Sequence, residues 1–135
     1  MIKQIFVNLP VKDLNKSIDF FTKLGFSFNP EFTDEKSTCM IIGENIYAML
    51  LVENFFSSFI KKPIINAKKD IEVMNALSVE SKAKVDEIVN KVIKAGGKEP
   101  KPAQDYGWMY SRAFEDLDGH VWEIFYMDYA NKPKE

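Results

Sequence analysis

The chain is poor in the side chains that most often do chemistry. Its 135 residues include one cysteine, Cys39, one histidine, His120, and one arginine, Arg112. A lone cysteine cannot close an internal disulfide, and a reducing cytoplasm is the setting this implies. Formal net charge is -2 with both signs mixed, so nothing in the balance points to nucleic acid. No apolar run approaches the ~20 residues that span a membrane. Residues 1–5 already read as the start of a strand, so no signal peptide is expected before the fold.

What is present is apolar. Hydrophobic residues make up 46% and aromatics 13%, enough for a core and too much for global disorder. The length suits one compact domain or two small, tightly joined halves. Residues 2–11 alternate, with Ile5, Val7, Leu9 and Val11 on one face and Gln4, Phe6 and Asn8 on the other. Asp13 caps a helix that runs to about Leu24, and Gly25 stops it. Strands are expected at 26–32, 37–42 and 46–52, with Gly43-Glu44-Asn45 turning between the last two. Phe55, Phe56 and Phe59 fall on one side of a short helix that Pro63 ends.

The order then repeats. Residues 71–79 alternate, Ser81 caps a helix to about Ala95, and Gly96-Gly97 ends it. A Pro- and Gly-bearing loop follows, with at most one short strand. Two strands, from Trp108 and from His120, close the chain around Asp116-Leu117-Asp118-Gly119, a strong hairpin signal. Val11 matches Val79 and Asp13 matches Ser81, an offset of about 68 residues that points to internal duplication. The expected layout is a first module at about 1–53, a connector at 54–69, a second module at about 70–128 and a frayed polar tail at 129–135.

Leu9-Pro10-Val11-Lys12-Asp13-Leu14, Ser17-Ile18-Asp19-Phe20-Phe21-Thr22-Lys23-Leu24-Gly25-Phe26 and Asp116-Leu117-Asp118-Gly119-His120 with Trp122-Glu123 together resemble the vicinal oxygen chelate superfamily. This group includes glyoxalase I, extradiol dioxygenases, and bleomycin and fosfomycin resistance proteins. The resemblance covers essentially the whole chain. It implies an α+β fold of two βαβββ modules, their curled mixed sheets arranged around a shared cavity. It also implies a homodimer, with the modules paired within one chain or swapped between two.

In metal-using relatives four side chains reach the cavity, one from the first and one from the last strand of each module. Carried over, these positions are Phe6, Leu50, Met74 and Glu123. Only Glu123 matches. Phe6 stands where His or Gln is expected, Leu50 where Glu is common and Met74 where His is common. A shift of two residues gives Asn8, Ala48 and Ala76. A divalent centre needs three or more N, S or O donors at ~2.0–2.3 Å, so no cofactor is expected and a divalent metal is disfavoured.

Each candidate has a plainer reading. An acid in an apolar pocket suits proton transfer, which makes Glu123 the catalytic candidate, with a structural pairing to Arg112 or a lysine equally open. Arg112 can hold an anion bidentately, or simply pair with Glu115 or Asp116. Asn8 and Ser78 are polar groups that can orient a ligand, whereas Gln4 reads as solvated strand end. Phe6, Leu50, Met74, Phe125 and Met127 read as cavity lining or as filled core. Tyr106, Trp108, Tyr110 and the Phe55/Phe56/Phe59 cluster read as gate, dimer contact or core. His120 reads as a turn partner and Cys39 as a small buried apolar residue.

Two functions follow. The first is a small-molecule-binding protein of the bleomycin-resistance type, holding an apolar or aromatic compound. The second is a glyoxalase-related enzyme, lyase-like or dioxygenase-like, with Glu123 as acid/base. A structural dimer without a ligand is a third, weaker reading.

Overall fold

Seven alternating residues at the start of the chain form β1 (Ile5–Val11). The Asp13 carboxylate accepts from the backbone N–H of Lys16 at 3.1 Å and so opens α1 (Leu14–Lys23), satisfying one of the donors every helix start leaves orphaned. The chain continues through β2 (Ser27–Asn29), β3 (Ser37–Gly43), β4 (Ile46–Val52) and the short α2 (Glu53–Ser57). It then runs through β5 (Met74–Ser78), α3 (Lys82–Ala95), β6 (Gln104–Asp105), β7 (Met109–Glu115) and β8 (Val121–Met127). This computed structural model describes residues 1–133. Its chain divides into two compact units, the first Met1–Ile65 and the second from Asn66 on. No helix among the described residues is long and apolar enough to cross a membrane.

Each unit holds one four-stranded mixed sheet, in the order β1-β4-β3-β2 in the first and β5-β8-β7-β6 in the second. The protein is therefore α+β, built from two βαβββ modules. In both, the first strand pairs parallel with the last, β1 with β4 and β5 with β8, and the remaining pairs are antiparallel. The helices end alike. After α1 the Phe26 N–H returns to the Phe21 carbonyl at 3.1 Å, and after α3 the Gly97 N–H returns to the Val92 carbonyl at 2.9 Å. Both returns need a left-handed residue just before them, supplied by Gly25 (φ 105°) and Gly96 (φ 102°).

Each helix covers one face of its own sheet. In the first unit Leu14, Phe20, Phe21 and Leu24 are buried together with Met40, Ala48 and Leu50. In the second, Val85, Ile88, Val89 and Val92 are buried with Phe114, Trp122 and Ile124. Fully burying one such side chain contributes about 1.5–3 kcal/mol, so these two layers hold most of the stability.

Three elements differ from the expectation. The second strand stops at Asn29, because Pro30 brings no N–H to a ladder and the Asn29 side chain instead caps a 3-10 turn over Pro30–Phe32. The fifth strand starts at Met74, leaving 71–73 outside it. Part of the polar tail is ordered as a second 3-10 turn at Tyr129–Asn131, while residues 134–135 of that tail lie outside the described residues.

The β7–β8 hairpin is built around a buried acid. Asp116 Oδ1 accepts from the backbone N–H groups of Asp118 and His120, and Oδ2 accepts from the indole N–H of Trp122, all at 3.0 Å. Burial pushes the Asp116 carboxyl above the ordinary range, against the pull of the His120 charge and these hydrogen bonds. Trp122 is thereby fixed in the core, stacked on Phe114 at 6.2 Å. Gly119 completes the turn at φ 90°. A Cβ there would sit 2.8 Å from the Lys68 backbone nitrogen, so only glycine lets the 67–68 backbone lie on the turn.

Replacing Asp116 by Ala is expected to cost about 2–4 kcal/mol, since it strands a buried indole N–H and two turn donors. In a Trp122→Phe background, which lacks the indole donor, the same replacement should cost distinctly less. Urea melts of the four proteins measure this, and equal losses in both backgrounds would disprove the coupling.

Candidate functional site

Alternation gives each sheet a second face, away from its helix. In the first unit the parallel register pairs Phe6 with Tyr47, Asn8 with Met49 and Pro10 with Leu51. Paired residues point the same way, so these six share that second face. Phe6 stacks on Tyr47 with ring centroids 4.8 Å apart and is 45% exposed. The α2 segment comes back over this face and encloses a half-open hollow of about 370 Å³. Leu51, Phe56, Phe59 and Ile60 line it, with Asn8 as its one polar side chain. Asn8 Nδ2 donates to the Phe6 carbonyl of its own strand at 3.2 Å.

Leu50 is not on this face. It pairs with Leu9 and is fully buried beneath α1, because one step along a strand reverses a side chain. The residues that β4 does present are Tyr47, Met49 and Leu51. None is a carboxylate or imidazole, and the phenol already stacks on Phe6.

The second unit's corresponding face carries Met74, Ala76 and Ser78 from β5, beside Val121, Glu123 and Phe125 from β8. Of the predicted residues, Glu123, Met74, Ser78 and Phe125 thus share one sheet face. Glu123 is half-buried and makes no ion pair or side-chain hydrogen bond with any described residue. Among the described residues no three His, Cys, Asp or Glu side chains gather as a metal-binding group.

Arg112 lies on the opposite, helix-covered face, level with Ile124. It cannot share a site on one sheet face with Glu123, nor pair with it. Its expected partners, Glu115 and Asp116, are also replaced. Glu115 points to the other face, and Asp116 is occupied with the hairpin. The guanidinium instead grips Glu99 through Nε and Nη2, at 2.8 and 2.7 Å. Its Nη1 donates to Asp86 at 2.9 Å and to Asn90 at 3.1 Å. Tyr110 adds its hydroxyl to Asp86 at 2.6 Å. These hydrogen bonds depress both acids: Asp86 chiefly through the Tyr110 hydroxyl and then Arg112, Glu99 chiefly through Arg112. The Arg112 and Tyr110 protons are in turn held more tightly than usual. An open hollow of about 490 Å³ runs beside them along Pro100, Lys101, Pro102 and Ala103. An anion entering it would meet an arginine whose charge two carboxylates already neutralise, so the cluster reads as a clamp between α3, β7 and the 99–103 loop.

Comparison with known proteins supports the family resemblance carried by the sequence motifs. Residues 3–43 match the family model described as bleomycin resistance protein-like, N-terminal. The hypothetical protein SA1046 from S. aureus is similar at 32% identity, over 93% of this chain and 95% of that one, with a TM-score of 0.79. The chain belongs to the vicinal oxygen chelate superfamily. Members that share its fold at lower identity include a glyoxalase-related enzyme from Fulvimarina pelagi, at 19% over 93% and 88% of the two chains with a TM-score of 0.77. The fosfomycin resistance protein FosX from Mesorhizobium loti superposes with a TM-score of 0.69, at 16% identity over 96% and 97%. None of the curated proteins is a significant match.

Superfamily membership explains the duplicated plan, but the hollow is a local feature of the first unit. Phe56 and Phe59 were legible as an aromatic cluster, whereas Leu51 and Ile60 carried no signal of their own. Leu51 could have been reached only by fixing the face of β4, which needs the register with β1. His120 belongs to the hairpin turn, and Cys39 lies level with Met49 on the first sheet's second face. The Cys39 thiol is buried, and burial raises it.

The clamp makes an acid-side prediction. Both acids have native pKa values below their unfolded ones, so their contribution is present above about pH 4.5 and is lost as pH falls through the native values. Arg112→Met is expected to cost about 1–2 kcal/mol near neutrality and to flatten the fall in Tm between pH 5 and pH 2.5. Parallel Tm–pH curves for the two proteins would refute the clamp.

Proposed function

We propose that this protein captures a small apolar or aromatic compound, in the manner of the bleomycin-resistance branch, and does so without a resident metal. The observation that supports this most is the hollow of about 370 Å³ walled by Leu51, Phe56, Phe59 and Ile60, with Asn8 as its polar group. Its size and lining suit a small-molecule site: largely hydrocarbon, with few polar groups to orient the ligand. The donor chemistry agrees. On the faces away from the helices Phe6 and Leu51 donate nothing, Met49 and Met74 offer thioethers that hard divalent ions bind poorly, and Glu123 by itself is one carboxylate. A lone buried thiol fits a reducing cytoplasm, and a homodimer is the natural assembly for this superfamily.

A second reading, a glyoxalase-related enzyme with Glu123 as acid/base, is favoured by one observation. Glu123 stands half-buried between Ala76 and Ala113 on its sheet face and has no partner among the described residues. A carboxylate kept only for structure is normally paired.

A thermal-shift screen of neutral aromatic compounds is expected to find ligands that raise Tm. At a hundred times the Kd the gain is about 2.7 kcal/mol. Phe56→Ala should weaken such a ligand about tenfold or more, because it removes a wall of the hollow. The reading fails if no compound moves the wild-type Tm, or if Phe56→Ala and Phe59→Ala leave the shifts intact. Glu123→Gln separates the two readings. Retained shifts with no turnover to lose support capture, whereas turnover of a bound compound that vanishes in Glu123→Gln supports the enzyme.

A further inference from the structure

The shape and polarity of the first-unit hollow narrow its occupant, on the condition that the capture reading above holds. Asn8 has an unequal pair of ends. The Phe6 carbonyl can only accept a hydrogen bond, so the Asn8 atom 3.2 Å from it is the amide nitrogen, and the network fixes the carboxamide's orientation. The other end, Oδ1, is an acceptor that no described residue satisfies. The remaining lining is one leucine, one isoleucine and two phenylalanines, none of which can donate, accept or balance a charge. A cavity of about 150 Å³ lined by hydrocarbon holds one benzene. By that scale a hollow of about 370 Å³ takes roughly two fused rings.

We infer that the ligand class is an uncharged bicyclic aromatic compound carrying a hydroxyl or N–H group, which donates to Asn8 Oδ1 while its rings lie against Phe56, Phe59, Ile60 and Leu51. With one Nδ2 hydrogen taken by the Phe6 carbonyl, the carboxamide offers both lone pairs of Oδ1 against a single free N–H, so an acceptor in that place leaves Oδ1 unmatched and competes for that one hydrogen. An anionic substituent would exchange water for hydrocarbon without gaining a counter-charge. Asn8 is exposed in the free protein, so the donor replaces a water molecule rather than rescuing a buried group. The preference is therefore modest, about three- to tenfold.

The test uses the whole protein and three probes of one ring system, titrated calorimetrically: 2-naphthol, 2-methoxynaphthalene and 2-naphthoate. Wild type is expected to bind 2-naphthol three- to tenfold more tightly than 2-methoxynaphthalene, and 2-naphthoate most weakly. Asn8→Leu should bind the two neutral probes equally. Equal binding of the neutral probes by wild type, or a preference that persists in Asn8→Leu, overturns the donor assignment and leaves capture of apolar rings standing. Naphthoate binding as tightly as naphthol overturns the uncharged class. If none of the three binds wild type, the capture reading fails, and this inference with it.

Discussion

The parallel pairing of first strand to last strand decides what each half of this protein can do. In a mixed sheet of this order the helix has one face to cover, and the register of the parallel pair settles which side chains it buries. Leu9 opposite Leu50 and Leu77 opposite Ile124 commit those residues to the helix layers. The same pairing leaves Phe6, Asn8, Met49 and Leu51 on one second face, and Met74, Ser78, Glu123 and Phe125 on the other. Everything chemical in the molecule is then a matter of what those two second faces contain, and most of it is hydrocarbon.

Two polar clusters lie off those faces and serve architecture. Asp116 gathers three donors at the hairpin and thereby pins Trp122, so the D-x-D-G sequence is a folding signal first. Arg112 binds two acids on α3 and the loop before β6. Both resemble functional motifs when read as letters: an acid next to a histidine, and a single arginine in an aromatic strand. Their partners show otherwise, because a group whose hydrogen bonds are already made internally has little to offer a ligand.

Much of the plan could be read from the residues. Caps at Asp13 and Ser81, stops at Gly25 and Gly96, and the Asp116–Gly119 turn are local chemistry, and local chemistry is legible in order. The duplication followed from their spacing. Register was not legible, since a slip of one residue on β4 moves Leu50 to the helix side and brings Leu51 to the hollow. Arg112's partners were also out of reach, because Asp86 and Glu99 lie 26 and 13 residues away in sequence and only the packed sheet brings them near. The hollow itself depends on α2 folding back across β1 and β4, which no periodicity announces.

Gly119 has a further consequence. Its missing side chain lets the backbone at 67–68, the first residues of the second unit, rest against the last hairpin. Among the described residues, β5 likewise obtains its only sheet neighbour from β8. During synthesis the first unit has its whole sheet once β4 emerges from the ribosome. The second cannot dock its own beginning until β8 has left the tunnel. A nascent chain of this protein therefore waits with one half finished and the other unable to close, and a premature stop before Gly119 forfeits an entire unit rather than a tail.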